Sequence, residues 1–396
     1  MVDFEEKLKE LSISGNLRSL PDVRHEGKYI ISGESRMLNL SSNDYLGLAS
    51  DPDCRIMADF LEEVAQAGLS SATLLSSVSS RLLTGTYAVH SDLERLLCDL
   101  SGKEAALVLS SGYHMNIGIL PAVTDAGTLI LADKLVHASI IDGIRLSQAK
   151  SVRYRHQDLE RLDALVSRYS KEYGRIIIVT ESIFSMDGDV SDLRALAEIK
   201  RRYPGVMLYV DEAHAVGVRG ETGMGVAQEQ GVISDIDFLC GTFGKAIASA
   251  GAYVLCSKMM REFLVNRMRS LIFTTALPPL NMLWTLRVLE NLGAMSDRRE
   301  RLAANAAAVR ASLEAAGLEC PSQSHIIPVM AGESVRALSM AEMIQKKGFY
   351  LLPVRPPTVP EGTSRLRISL TAAVTEKETC TLMEELAATA QILKIQ

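Results

Sequence analysis

Short apolar runs alternate with longer amphipathic stretches through the middle of the chain. AALVLS (105–110), TLILAD (128–133), RIIIVTE (175–181), VMLYVDE (206–212), IDFLCGT (236–242) and GAYVLCS (251–257) are rich in Val, Ile and Leu. Such runs, several bounded by Gly, Asp or Ser, are what strands buried on both faces require. Between many of them lie stretches with helical spacing, such as VSDLRALAEIKRRYPG (190–205). The alternation predicts an open α/β sheet, mainly parallel, with flanking helices. Before it, the pattern predicts a helix near Asp3–Leu11 and a hairpin in GKYIISGESRMLNL (27–40), turning around Ser32, Gly33 and Glu34. Helices are expected near Pro52–Gly68 and Val89–Leu100. After LPPL (277–280) a long helical stretch runs through Gly317, followed by shorter strand and helix signals. The expected organisation is an N-terminal segment over 1–45, a large α/β domain over 46–285 and a smaller α+β domain over 286–396.

Composition narrows the class. At 396 residues the chain exceeds what one hydrophobic core usually serves, and 47% hydrophobic with 23% charged residues is an ordinary globular mix. A net charge of −6 argues against a nucleic-acid binder. Six cysteines without CxxC spacing point to reduced thiols, not a disulfide frame or a zinc site. With no apolar signal core and no run near the ~18 residues of a membrane span, the expectation is a soluble cytoplasmic protein with no membrane partner.

Several motifs fail on inspection. DEAH (211–214) occurs in some helicases, but no GxxxxGK[ST] loop accompanies it. HExxH and GxSxG are absent, and no GxGxxG follows the first strand.

Polar clusters at the carboxyl ends of the predicted strands carry more, because ligands of open α/β sheets bind there. Ser111, Gly112 and Tyr113 form a strand-to-helix turn, where backbone N–H groups suit a phosphate. His137 follows a second strand, Asp211 and His214 end a third, and Thr242 and Lys245 end a fourth. Each alone has a structural alternative: a helix cap, a core histidine, a strand-end carboxylate, a lysine in a tight loop. Together they form the set that pyridoxal phosphate needs. A desolvated lysine has a lowered pKa and can form an imine with an aldehyde. A carboxylate facing a pyridine nitrogen keeps it protonated, so the ring accepts electrons. The small residues of FLCGTFGKAIASAG (238–251) are expected to leave room for a planar cofactor beside Lys245.

With those residues in view, the chain resembles the α-oxoamine synthases, pyridoxal phosphate enzymes of fold type I. The resemblance runs from about Leu17 to Ala373 through NLSSNDYLGL, SSGYHMNIG, HASIIDGIRLS, ESIFSMDGD, VDEAHAVGVRGETGMG, GTFGKAIASAGAY, FTTALPP and RPPTVPEGTSRLRISLTAA. It implies that Lys245 is the Schiff-base lysine and general base, that Asp211 pairs with the ring nitrogen and that His137 stacks on the ring. Ser185 and His214 would contact the ring hydroxyl oxygen, Gly112 and Tyr113 would lie by the cofactor, and Thr242 would contact its phosphate. Arg367 would hold the amino-acid carboxylate, with Arg18, Asn43 and Thr358 as further substrate contacts; no metal is implied. The implied reaction, a step of biotin formation, is a decarboxylating condensation of L-alanine with a pimeloyl thioester, of coenzyme A or an acyl carrier protein, giving 8-amino-7-oxononanoate. Condensation of glycine with acetyl-CoA is the nearest alternative, and a non-catalytic partner subunit is one of a different class. The resemblance further implies a homodimer with shared active sites, Thr274 or Thr275 reaching the neighbour's phosphate.

The chain departs from the family pattern in three places. LLSSVSSRLLTGTY (74–87) replaces a glycine-rich segment, Val374 stands where histidine is usual, and Ala248 and Ala252 stand where glycines are frequent.

Overall fold

The computed structural model describes residues 3–51, 54–66 and 74–394. The chain divides into two compact units, one of residues 53–184 and 190–297, the other of residues 1–52, 185–189 and 298–396.

The first unit is built on a seven-stranded sheet: β1 (Ala105–Leu109), β2 (Thr128–Asp133), β3 (Lys150–Tyr154), β4 (Arg175–Glu181), β5 (Val206–Asp211), β6 (Phe238–Thr242) and β7 (Ala252–Cys256), in the order β1-β7-β6-β5-β4-β2-β3. Pairing is parallel from β6 through β5, β4 and β2 to β3. β7 lies antiparallel between β1 and β6. The apolar runs occupy the interior as their composition requires: Ile176, Ile177, Ile178 and Val179 are at most 1% exposed. The edge strand β3, KSVRY, is largely exposed and polar, and that is why its sequence gave no strand signal. Parallel pairing brings the carboxyl ends of β2, β4 and β5 together, and each ends in a buried acid: Asp133, Glu181 and Asp211.

Two helices start just beyond the carboxyl ends of β1 and β2. α1 (Gly112–Val123) is capped by Ser111, whose Oγ accepts from the His114 N–H at 3.2 Å. α2 (Ala138–Leu146) is capped by His137. The expected helix near 52–68 is present as Arg55–Gln66, while residues 52, 53, 67 and 68 lie outside the described residues. The long helical stretch after Leu280 is three pieces, Pro279–Glu290, a 3-10 turn at Leu292–Met295, and Ser296–Ala315.

In the second unit the expected hairpin is formed: Tyr29–Ser32 pairs antiparallel with Ser35–Asn39, and Gly33 takes φ +58° in the turn. Phe349–Tyr350 adds to this sheet in parallel beside Ser35–Asn39. A second sheet joins Ile326–Gly332, Ser364–Ser369 and Pro353–Val354. Along Ser364–Ser369 the period of two buries Leu366 and Ile368 and turns Arg365 and Arg367 to the opposite face. Val374 is fully buried.

The N-terminal hairpin is tied to the last helix by Glu378, which accepts from Lys28 Nζ and the Tyr29 hydroxyl, both at 2.7 Å. Burial pushes this carboxyl up, but hydrogen bonds from Lys28, Thr375 and Tyr29 prevail and hold it down at about 2. A depressed carboxyl stabilises the fold above its unfolded pKa and loses that contribution as pH falls. The gap in urea midpoint between the wild type and Glu378→Gln is therefore expected to be full above pH 4.5 and to close as pH falls toward about 2.

In the segment that departs from the glycine-rich pattern, Val78 carries φ +45° and is 79% exposed. A β-branched residue in left-handed backbone is strained, and strain of this kind costs of order 1–3 kcal/mol. Val78→Gly is expected to raise stability by about 1 kcal/mol once the glycine's added unfolded-state entropy is set against it, read as a higher urea midpoint. A lower midpoint would contradict this account.

Candidate active site

Within the sheet unit, the residues singled out from the sequence converge on the carboxyl ends of the central strands. Asp211 ends β5 and is 5% exposed. Its two oxygens are held separately: Oδ2 accepts from Asn116 Nδ2 at 3.0 Å and Oδ1 from the Ala213 N–H at 2.9 Å. His214 follows in the turn, and its Nε2 lies 2.9 Å from Lys245 Nζ.

Lys245 stands in the loop between β6 and β7. The loop is pinned by Trp284 Nε1 donating to the Ala248 carbonyl at 2.9 Å and by Asn281 Nδ2 donating to Ser249 Oγ at 2.6 Å. Two of the surrounding glycines serve another purpose than room for a ligand. A Cβ at Gly241 would come within 2.5 Å of the Tyr253 ring, and one at Gly251 within 2.7 Å of Leu277. These glycines let side chains of the unit's own core approach the backbone. Gly244, where a Cβ would meet nothing closer than 3.7 Å, is the one with space. Ala248 holds the left-handed conformation, φ +50°, where a glycine is frequent.

Gly112 and Thr242 are neighbours: a Cβ on Gly112 would lie 3.8 Å from the Thr242 side chain. Thr242 Oγ1 donates to the Gly251 carbonyl at 3.0 Å and accepts from the Gly244 N–H at 3.3 Å. The first turn of α1 presents N–H groups that have no intrahelical acceptor, which favours an anion beside Gly112 and Thr242. Tyr113 is half-exposed and donates its hydroxyl to Asp142 Oδ2 at 2.9 Å.

His137 reaches solvent, yet the protein packed around its imidazole lowers its pKa; Asp211 opposes that shift, Lys245 adds to it and Asp142 opposes it. Its backbone N–H donates to Glu181 Oε1 at 2.5 Å. Glu181 is 2% exposed and stands directly across from Asp211 in the β4–β5 register. Burial, followed by the charge of Asp211, raises this carboxyl well above the usual range. Glu212 is also fully buried and is raised to about 7 by burial, against hydrogen bonds from Ser182, Ala227 and Val226. It anchors the turn after His214 by accepting from the Val226 and Ala227 N–H groups at 3.0 and 2.6 Å.

The remaining residues gather in the other unit. The Arg367 guanidinium donates to the Ser185 carbonyl (2.5 Å), Asn43 Oδ1 (3.3 Å) and the Tyr45 hydroxyl (3.3 Å), and also to Ser369 Oγ. Among the described residues Arg367 forms no ion pair, whereas neighbouring Arg365 pairs with Asp187. Ser185, expected from the sequence beside the cofactor ring, thus contributes its backbone to the arginine. Arg18 donates to Thr358 Oγ1 at 3.0 Å and to the Arg355 carbonyl at 3.0 Å, so these two expected substrate contacts touch each other.

Sequence reasoning missed Asn116, Ser139, Glu181 and Tyr45. Asn116 lies inside the quoted SSGYHMNIG, one helical turn beyond Gly112, and that spacing was the available signal.

Chemically, the sheet unit offers a primary amine, a carboxylate aimed by two donors, an imidazole and a helix N-terminus beside a threonine hydroxyl. That donor set fits pyridoxal phosphate, which presents an aldehyde, a basic ring nitrogen, a flat ring face and a phosphate.

Comparison with known proteins gives the same assignment. Residues 35–386 match the family model described as aminotransferase class I and II. A Haemophilus influenzae protein provisionally named 8-amino-7-oxononanoate synthase is 51% identical over 375 residues, which is 95% of this chain and 97% of that one. A Glaesserella parasuis protein of the same provisional name is 50% identical over 380 residues, 96% of this chain and 98% of its own. Among solved structures, serine palmitoyltransferase of S. paucimobilis with bound pyridoxal phosphate and myriocin superposes with TM-score 0.89 at 30% identity, covering 99% of this chain and 98% of the other. The 8-amino-7-oxononanoate synthase of Francisella tularensis superposes with TM-score 0.76 at 28% identity, covering 91% and 98%. The chain belongs to the class I and II aminotransferase family, in its α-oxoamine synthase branch, and is a pyridoxal phosphate-dependent acyltransferase of fold type I.

Proposed function

We propose that this enzyme condenses L-alanine with a pimeloyl thioester, with loss of carbon dioxide, to give 8-amino-7-oxononanoate. The observation that carries the reading is the convergence of Lys245, His214, Asp211 and His137 at the carboxyl ends of one sheet. The reaction-specific part is supported by relatives about half identical over nearly the whole chain that bear the oxononanoate synthase name.

Pyridoxal phosphate, when bound, supplies an aldehyde for amines and a cationic ring that takes up the electrons left when a bond at Cα breaks. Lys245 would hold it, and Asp211 would face the ring nitrogen and favour its protonated form through charge attraction. The N–H groups at the start of α1, with Thr242, would hold the phosphate. His214, in hydrogen-bond reach of Lys245 Nζ, would orient that amine. Lys245, its Nζ beside His214 Nε2, would serve as general base at the substrate Cα. Arg367, its guanidinium fixed by Ser185, Asn43, Tyr45 and Ser369, binds the amino-acid carboxylate; Arg18 and Thr358 serve the acyl substrate.

Lys245→Ala is expected to abolish turnover. Borohydride treatment of the wild type should fix the cofactor's mass on the peptide carrying Lys245, and leave the variant unlabelled. Label on another lysine would remove the assignment. Arg367→Ala is expected to raise KM for the amino acid about 10–100-fold, the worth of a lost charge-assisted hydrogen bond, with little change in cofactor content. Steady-state rates with alanine, glycine and serine, each against pimeloyl-, acetyl- and palmitoyl-CoA, decide the reaction. Preference for any pair other than alanine and the pimeloyl thioester would replace this reading with another α-oxoamine synthesis.

A further inference from the structure

The hydrogen bonds behind His137 form a continuous chain that the catalytic reading does not use. His137 is the N-cap of α2, and its Nδ1 lies 3.3 Å from the Ser139 backbone N–H and 2.7 Å from Ser139 Oγ. Ser139 Oγ accepts from Asn116 Nδ2 at 2.9 Å, and the same amide nitrogen donates to Asp211 Oδ2 at 3.0 Å. Asn116 Oδ1 accepts from the Tyr209 hydroxyl at 2.5 Å. Asn116, Ser139 and Tyr209 are each at most 2% exposed.

We propose that Asn116 and Ser139 are positioning residues that lock His137 as the neutral imidazole with its proton on Nε2, while aiming the Asp211 carboxylate. His137 then serves as a hydrogen-bond donor and not as a base.

The direction of every bond in the chain is fixed by chemistry. A carboxylate only accepts, so Asn116 must turn its NH₂ toward Asp211; a flipped amide would set oxygen against oxygen. That orientation places Oδ1 toward the Tyr209 hydroxyl, which donates to it. The NH₂ group also only donates, so Ser139 Oγ receives at one lone pair and has its own proton free for His137 Nδ1. The Ser139 backbone N–H can likewise only donate. Two donors facing Nδ1 leave no place for a proton on it, and the remaining ring proton resides on Nε2. Protonation of both nitrogens would set N–H against N–H at the cap, and the positive end of the α2 dipole disfavours the imidazolium further. The charged groups facing the ring are Asp211 from β5, Lys245 from the loop after β6 and Asp142 from α2 itself. One residue, Asn116, therefore bonds both to the carboxylate and to the cap that sets the imidazole.

The tautomer follows from the cap geometry alone; the use of Nε2–H toward a substrate oxygen rests on the cofactor reading above. Nitrogen NMR of histidine-labelled holoenzyme tests it, with the His137 signals assigned by their loss in His137→Asn. The expected result is a single tautomer, with a pyridine-type Nδ1 and a pyrrole-type Nε2, persisting across the neutral pH range. Ser139→Ala removes one of the two donors to Nδ1, and the pH at which His137 protonates is expected to shift upward. Asn116→Ala should give a shift of the same sign. It should also move the pH profile of the bound cofactor's visible band, because Asp211 loses a donor. Should Asn116→Ala fail to fold by circular dichroism, the wild-type tautomer and Ser139→Ala decide alone. A wild-type His137 with its proton on Nδ1, or protonation unmoved in Ser139→Ala, overturns the proposal whether or not the enzyme condenses alanine. A locked Nε2 proton in an enzyme that prefers another amino acid supports the proposal and overturns only the substrate reading.

Discussion

A carboxylate held almost wholly away from water keeps its charge only if the protein replaces the hydrogen bonds that water would have made. Asp211 is such a group, and much of the site can be traced to meeting its needs. Asn116 and the Ala213 N–H supply the donors. Asn116 can do so because α1 begins directly after β1, which sets its side chain one turn above the helix N-terminus. Glu181, the register neighbour of Asp211, is raised well above the usual range, so the two strand ends do not place two full charges side by side. The two acids are then held differently: Asp211 is gripped by two donors, and Glu181 is pushed toward neutrality by burial while it anchors the His137 backbone.

Much of this was legible in the sequence because the strands are buried on both faces. Continuous apolar runs located six of the seven strands of the large sheet, and the polar residues that break those runs at their ends are the site residues Asp211, Thr242 and, just beyond, Lys245. The seventh strand, Lys150–Tyr154, lies at an edge where solvent accepts Lys150, Ser151 and Arg153, so no apolar run marks it. The hairpin at 29–39 was legible through its alternation and its Gly33 turn. Ser139 was not legible, and Asn116 was marked only by its one-turn spacing from Gly112, for a different reason. Each is a small polar residue in a helix whose partner comes from an element distant in the chain, and such pairing follows from tertiary register, not local spacing. The small residues around Lys245 have mixed causes: Gly241 and Gly251 accommodate Tyr253 and Leu277, while Gly244 has space around it.

Among the described residues, Arg367 is a cation held by neutral hydrogen-bond acceptors alone. Its donors are satisfied by a carbonyl, an amide oxygen and hydroxyls, none of which carries a full charge. Neutral acceptors fix the plane of the guanidinium without cancelling its charge. Arg365, two residues away on the same face, is paired with Asp187, which neutralises it. The two arginines are therefore not equivalent, although the sequence SRLRIS presents them alike.

The antiparallel placement of β7 beside β6 bears on how the site comes together during folding. Thr242 pairs with Ala252, and residues 243–251 close between them with Phe243 N–H donating to the Gly251 carbonyl at 2.9 Å. The loop that carries Lys245 is thus a hairpin connection, and closing it costs little loop entropy, while its pins to Asn281 and Trp284 come from farther along the chain. Asp211 and His137 instead reach their places through parallel pairing across long crossovers, contacts of high sequence separation that form slowly. The Lys245 loop closes as a local hairpin structure. Asp211 and His137 come beside it only when the long-range order of the strands has been established.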